Sequence, residues 1–154
     1  MKPDAVALLN EDLHLEGNAI LIYRAHAAVA REPEIAQGLT SILAVEERHA
    51  VELAQRITEL GGQPETADQF TTASGKAIAA TSRFARTDQM LRLDLDEEER
   101  AVDAYRRHIA ALAGLSAPHA GDAQTITLLS CHLRDEEAHA RWLTEQIARI
   151  VEGR

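Results

Sequence analysis

Four long stretches of the chain repeat apolar residues at intervals of three and four, the spacing that lines them along one side of an α-helix. They cover 4–30, 34–60, 87–113 and 122–151, and all are rich in Ala, Leu, Glu, Arg and Ile, residues that favour helix. Pro33 separates the first two, Gly61-Gly62 with Pro64 closes the second, and Gly114 to Gly121 around Pro118 divides the third from the fourth. Asp4 and Asp122 are candidate N-caps. The connection 61–86 is longer than the others, and its middle, SGKAIAATSRF at 74–84, has the composition of a short additional helix. Four helices of similar length, each with one apolar stripe, predict a four-helix bundle: an all-α single domain over 1–154 with a long crossover between helices two and three.

The stripes are not purely apolar. Helix one presents Leu9, Leu13, Glu16, Ile20, Tyr23 and Ala27, and helix three presents Leu91, Leu95, Glu98, Val102, Tyr105 and Ile109. A carboxylate interrupts each. Helix two presents Leu39, Ile42, Glu46, His49, Leu53 and Ile57; helix four presents Leu129, Leu133, Glu136, His139, Leu143 and Ile147. In these a Glu and a His one turn apart share the inward face. Four buried carboxylates are costly unless cations sit among them, and two divalent ions would cancel their charge.

The chain also repeats itself. At an offset of 82, Leu9, Asp12, Leu13, Glu16, Ala19, Tyr23, Arg24 and His26 match Leu91, Asp94, Leu95, Glu98, Ala101, Tyr105, Arg106 and His108. At an offset of 90, Glu46, Glu47, His49, Ala50, Leu53 and Ile57 match Glu136, Glu137, His139, Ala140, Leu143 and Ile147. One helix pair used twice about a pseudo-twofold axis would bring together one Glu from each of two helices and a Glu-x-x-His from each of the other two. That is the ligand set of a carboxylate-bridged dimetal centre, with Glu16, Glu46, His49, Glu98, Glu136 and His139 as candidate metal ligands. A single Glu-x-x-His is weak evidence, and Glu11 with His14 forms one off the inward stripe that reads as solvated.

Other polar residues divide between supporting and structural roles. Tyr23 and Tyr105, two turns beyond a Glu, are placed to hydrogen-bond a ligating carboxylate or simply to pack as amphipathic core residues. Asp12 and Asp94, one turn before those Glu residues, are candidates for orienting the ligating imidazoles, against a plain charged helix flank. His132 reads as a satisfied core histidine with an access path as the alternative, His26 and His108 as surface or bundle-end residues, and Cys131 as a small buried hydrophobe.

Composition narrows the function. Twenty-five acidic residues against 16 basic ones give a net charge of −9, and only Lys2 and Lys76 are lysines, so no phosphate-tracking surface and no nucleic acid is expected. Five aromatics provide no stacking platform for single strands. One cysteine cannot form an intrachain disulfide, charges break the N-terminus before any signal-type apolar run, and no segment reaches membrane-span length; a cytoplasmic protein without a membrane partner is expected.

On LNEDLHLEGNAILIY, VEERHAVEL, MLRLDLDEEERAVDAYR and LRDEEAHARWL the chain resembles the ferritin-like superfamily, and within it most closely the bacterioferritins. The resemblance implies that Glu46 and Glu136 bridge two metals while Glu16, Glu98, His49 and His139 are terminal ligands. It also implies ferroxidase activity, in which two Fe(II) bind and O2 or H2O2 oxidises them for iron storage or detoxification. Carboxylates and imidazoles suit iron, with manganese also possible.

The departures matter too. Bacterioferritins carry haem on a Met directly after the second-helix Glu, a position held here by Glu47, so no haem is expected. The residues that pass iron inward correspond to Val45 and Ser41, which cannot ligate it. A rubrerythrin would place a further Glu at Ala101 and add Cys-x-x-Cys motifs. Fifteen residues follow His139, enough to finish helix four but not to add a fifth helix, so a homodimer or a twelve-subunit shell is expected instead of a 24-subunit cage. A dimetal oxidase, oxygenase or manganese catalase is the alternative function, and a non-enzymatic bundle a further one.

Overall fold

The computed structural model describes residues 4–65, 73–114 and 120–153, with the side chains of 74 and 120–122 outside the description. Four long helices form the bundle: α1 (Ala5–Val29), α2 (Pro33–Glu59), α4 (Thr87–Ala113) and α5 (Ala120–Glu152). A short α3 (Ala73–Thr81) and a 3-10 turn (Ser82–Phe84) occupy the connection between α2 and α4, close to the 74–84 predicted from composition.

The ends follow from local chemistry. Asp4 caps α1, its Oδ1 accepting from the Val6 amide at 3.0 Å. Pro33 is the first residue of α2 rather than a spacer before it, a position where its missing N–H costs nothing. Gly61, at φ +79°, ends α2: its amide donates to Thr58 O and that of Gly62 to Ile57 O, which satisfies two terminal carbonyls. At the start of α4 the Gln89 side chain accepts from the Arg86 amide. The Asp122 cap falls outside the described side chains, within a helix that starts at Ala120.

Contacts between named residues set the directions. Across α1 and α4, Asp12 meets His108, Glu16 meets Tyr105, Tyr23 meets Glu98 and His26 meets Asp94, so the helices are antiparallel. Arg24 with Glu47 and Glu16 with His49 make α1 antiparallel to α2 as well. The helices α2 and α4 therefore run parallel. After α2 the chain must return along the bundle before starting α4, a span of roughly 40 Å for a 27-residue helix. This is the physical reason for the long crossover, and α3 packs against α1 on the way.

The core has two apolar blocks. Leu9, Leu13, Leu53, Ile57, Leu112 and Leu129 fill one end, and Ile35, Leu39, Ile42, Leu91, Leu143 and Ile147 fill the other. Between them lies a layer of buried polar side chains. Gly38 on α2 makes room for the Trp142 indole, because a Cβ there would stand 2.0 Å from Trp142 Cζ2. No helix among the described residues is long and apolar enough to cross a membrane.

Candidate metal centre

The polar layer contains all six residues expected as ligands, each at most 8% exposed. Antiparallel packing of α2 and α5 brings the two Glu-x-x-His motifs face to face. His139 Nδ1 lies 2.9 Å from Glu46 Oε1, and His49 Nδ1 lies 2.9 Å from Glu136 Oε1. Glu16 from α1 stands 3.7 Å from His49 Nδ1, and Glu98 from α4 stands 3.5 Å from His139 Nδ1.

The ligand atoms form two groups. Glu16, Glu46, His49 and Glu136 can each offer one atom with all four within 4.8 Å of one another, and Glu46, Glu98, Glu136 and His139 can do the same. Glu46 and Glu136 belong to both.

Charged atoms here are close without being aligned. Both oxygens of Glu46, Glu98 Oε2, Glu136 Oε1 and the Nδ1 atoms of His49 and His139 are buried and lack a hydrogen bond of acceptable geometry. Buried polar groups are almost always satisfied, so a concentration of orphans aimed at common points is the arrangement that cations would complete. The donor set passes this test for hard or borderline divalent ions.

Electrostatics agree. Burial, then the charge of Glu16, raises the Glu46 carboxyl to about 8, and burial drives Glu136 well above the usual range. Burial also raises Glu16, but proximity to His49 and to Glu46 outweighs it and the net shift is downward. For His139 burial disfavours the cation, yet Glu46 and Glu98 lift it to about 9; His49 is likewise raised by Glu136, Glu16 and Glu46 against the effect of burial. The upward shifts at Glu46, Glu136, His49 and His139 favour protonation of these groups in the metal-free cluster.

The supporting residues only partly match expectation. Tyr23 donates to Glu98 Oε1 and Tyr105 to Glu16 Oε1, so each tyrosine holds the carboxylate of the facing helix, not that of its own. Burial drives both phenols well above 10, keeping them donors. Asp12 and Asp94 do not orient the ligating imidazoles. Asp12 Oδ1 lies 2.9 Å from His108 Nδ1 and Asp94 Oδ1 lies 2.7 Å from His26 Nδ1, because the α1/α4 crossing pairs those turns. His26 and His108 are accordingly buried rather than at the surface, with 0% and 4% exposure.

The nitrogens of His132 meet Tyr105 Oη at 3.2 Å and Glu52 Oε2 at 2.8 Å, so the buried ring links the core to a partly exposed carboxylate. Cys131 is only half-buried, its sulfur accepting from Arg134. His14 pairs with Glu65, while Glu11 is exposed and reaches His108 Nε2 at 3.2 Å. Sequence reasoning missed Asp135, whose Oδ2 lies 3.1 Å from His49 Nε2 and accepts from Arg48 at 2.7 Å. Its signal was present: the repeat places Val45 at the matching position, so Asp135 is a polar departure beside a ligand motif.

Known proteins share this fold. The family model for the ferritin-like domain matches residues 6–152. A bacterioferritin of Desulfovibrio desulfuricans is 28% identical over 106 residues, covering 69% of this chain and 51% of that protein; the match thus spans about half the length of the curated relative. An X-ray structure of the D. desulfuricans bacterioferritin, showing its diiron site in different catalytic states, superposes with a TM-score of 0.77 at 24% identity, over 96% of this chain and 80% of the other. The bacterioferritin of Rhodobacter capsulatus, solved with a metal-free dinuclear site and haem iron, gives 0.74 at 23% identity over 99% and 89%.

Proposed function

The chain belongs to the ferritin-like domain family, and on that premise we propose that it is a di-iron carboxylate protein that oxidises Fe(II) with O2 or H2O2 as electron acceptor. The observation that carries this reading is the pair of four-residue groups sharing Glu46 and Glu136, with orphaned buried ligand atoms aimed between them. Glu46 and Glu136 would lie between two ions, Glu16 and His49 would complete one, and Glu98 and His139 the other. Two iron ions held there would supply two electrons to one acceptor.

The protein's own contribution is placement and proton handling. Asp135 takes the His49 Nε2–H, which leaves the Nδ1 lone pair directed at the cluster. Tyr23 and Tyr105 fix the outer carboxylates of Glu98 and Glu16. Burial favours protonation of Glu46 and Glu136, so these carboxyls would release protons as a cation is bound, and the two apolar blocks flank the site.

Carboxylate and imidazole ligands suit iron or manganese, and the diiron site of the D. desulfuricans relative supports iron. Glu47, at the position of the haem-binding Met in bacterioferritins, is bound by Arg24 at 2.8 Å, which supports a protein without haem. The test is anaerobic loading with Fe(II) followed by stopped-flow absorbance on mixing with oxygenated buffer. A fast phase that saturates near about two Fe(II) per chain, and disappears in Glu136→Ala, is expected. An unchanged rate in that variant overturns the reading.

A further inference from the structure

The internal repeat holds closely around the centre. Tyr23 with Glu98 mirrors Tyr105 with Glu16, His26 with Asp94 mirrors His108 with Asp12, and Arg24 with Glu47 mirrors Arg106 with Glu137. On one side of the cluster it fails. At the offset of 90, His132 corresponds to Ile42, and Glu52 corresponds to Trp142. Ile42 and Trp142 belong to the same apolar block. On the other side the same two positions carry an imidazole and a carboxylate.

These two polar residues connect the centre to solvent. Glu52 has a side chain 37% exposed, while that of His132 is fully buried; Glu52 Oε2 and His132 Nε2 are 2.8 Å apart. The His132 ring stacks on His49 with centroids 3.9 Å apart, and Glu16, His49 and His132 can each offer a ligand atom within 4.8 Å of one another. Outside, Glu52 forms part of a groove of about 390 Å³ between α2 and α5, lined also by Gln55, Arg56, Glu59, Gln124 and Leu128. The Arg56 guanidinium in this groove is tied to Glu59 at 2.8 Å, and Arg48, 3.9 Å from Glu52, is tied to Asp135 at 2.7 Å.

We infer that Glu52 and His132 form a transit site, which takes a hydrated divalent cation from the α2/α5 groove and passes it to Glu16 and His49. This rests on the dimetal reading of the centre. A carboxylate at the mouth attracts the cation and replaces part of its water shell, and the buried imidazole offers the next ligand on the way in. With the neighbouring arginines engaged by carboxylates, Glu52 supplies the local negative charge. The pseudo-symmetric side, with Ile42 and Trp142 at the matching positions, has no such polar step.

Co(II) is a suitable probe because it reports occupancy by its absorption without turnover. Apoprotein is mixed with Co(II) in a stopped-flow instrument and the loading rate compared among the parent, Glu52→Gln and Glu52→Lys. Both substitutions alter a half-exposed side chain and leave the six ligands in place, and the final absorbance confirms an intact centre. The expected result is about two Co(II) per chain in all three, with loading slowed at least about tenfold in Glu52→Gln and further in Glu52→Lys. His132→Gln is slowed similarly. A parent that takes up two Co(II) alongside Glu52 variants loading at its rate overturns the transit site alone. A parent that takes up fewer than two overturns the dimetal reading and the transit site with it.

Discussion

His139 Nδ1 lies 2.9 Å from Glu46 on the facing helix but 4.0 Å from Glu136 of its own motif. His49 repeats the relationship, at 2.9 Å from Glu136 and 3.6 Å from Glu46. Each Glu-x-x-His therefore acts across the bundle more than along its helix. The two motifs form one cluster, and the roles within it differ in a way that metal binding can report.

Removing a shared carboxylate is expected to cost more than removing an outer one. Glu46→Ala should abolish binding of both ions, whereas Glu16→Ala should leave about one ion per chain bound on the Glu98–His139 side. Isothermal titration with Co(II) distinguishes the two. Equal stoichiometry in both variants would contradict the shared position of Glu46.

Tyr23→Phe deletes the donor to Glu98 Oε1 inside a buried site. Outer-shell donors of this kind typically change metal affinity by about 10- to 100-fold, so a loss of roughly tenfold on the Glu98 side is expected. Competition with a calibrated chelator measures it. An affinity equal to the parent's would mean that the phenol is only packing.

Proton linkage makes the metal-free protein less stable in alkali. Burial raises Asp12 and Asp94 from 3.8 to about 6 and Glu46 from 4.5 to about 8, while Glu46 and Glu98 lift His139 from 6.5 to about 9. Each of these folded-state values lies above its unfolded one, so the folded chain binds more protons and stability declines as pH rises through the window. Melting of the apoprotein should fall between pH 5 and pH 9, by roughly 2–4 °C for each kcal/mol lost. In the loaded protein cations would replace the protons of Glu46 and His139, so metal affinity is expected to rise with pH. Calorimetric scans of both forms provide the check; an apoprotein that gains stability over that range would contradict these upward shifts.

Gly38→Ala forces a methyl group into the space of the Trp142 ring. Overpacking of this kind costs about 1–3 kcal/mol. A lower melting temperature and a shifted emission from Trp142, the chain's single tryptophan, are expected. Melting identical to the parent would show that the α2/α5 contact yields easily.

The helices and the inward placement of the six clustered side chains were legible in the sequence because both are written at short range. Apolar spacing marks an amphipathic helix wherever it occurs, and Glu46 with His49 must share a face because they are one turn apart. The repeat then identified Glu16 and Glu98 as the missing carboxylates. Partner choice was not legible, since it depends on which turns of different helices meet. Asp12 and Asp94 looked suited to the ligating imidazoles, but the antiparallel crossing of α1 and α4 places residue 12 beside His108 and residue 94 beside His26. The same crossing buries two histidines that read as peripheral, and it sends each tyrosine to the opposite glutamate. Asp135 and Glu52 resemble any charged helix flank until α2 and α5 pack, because only that contact turns one toward His49 and the other toward His132. Sequence determined which residues could build a dimetal centre, and tertiary packing decided how they are held and which polar neighbours surround them.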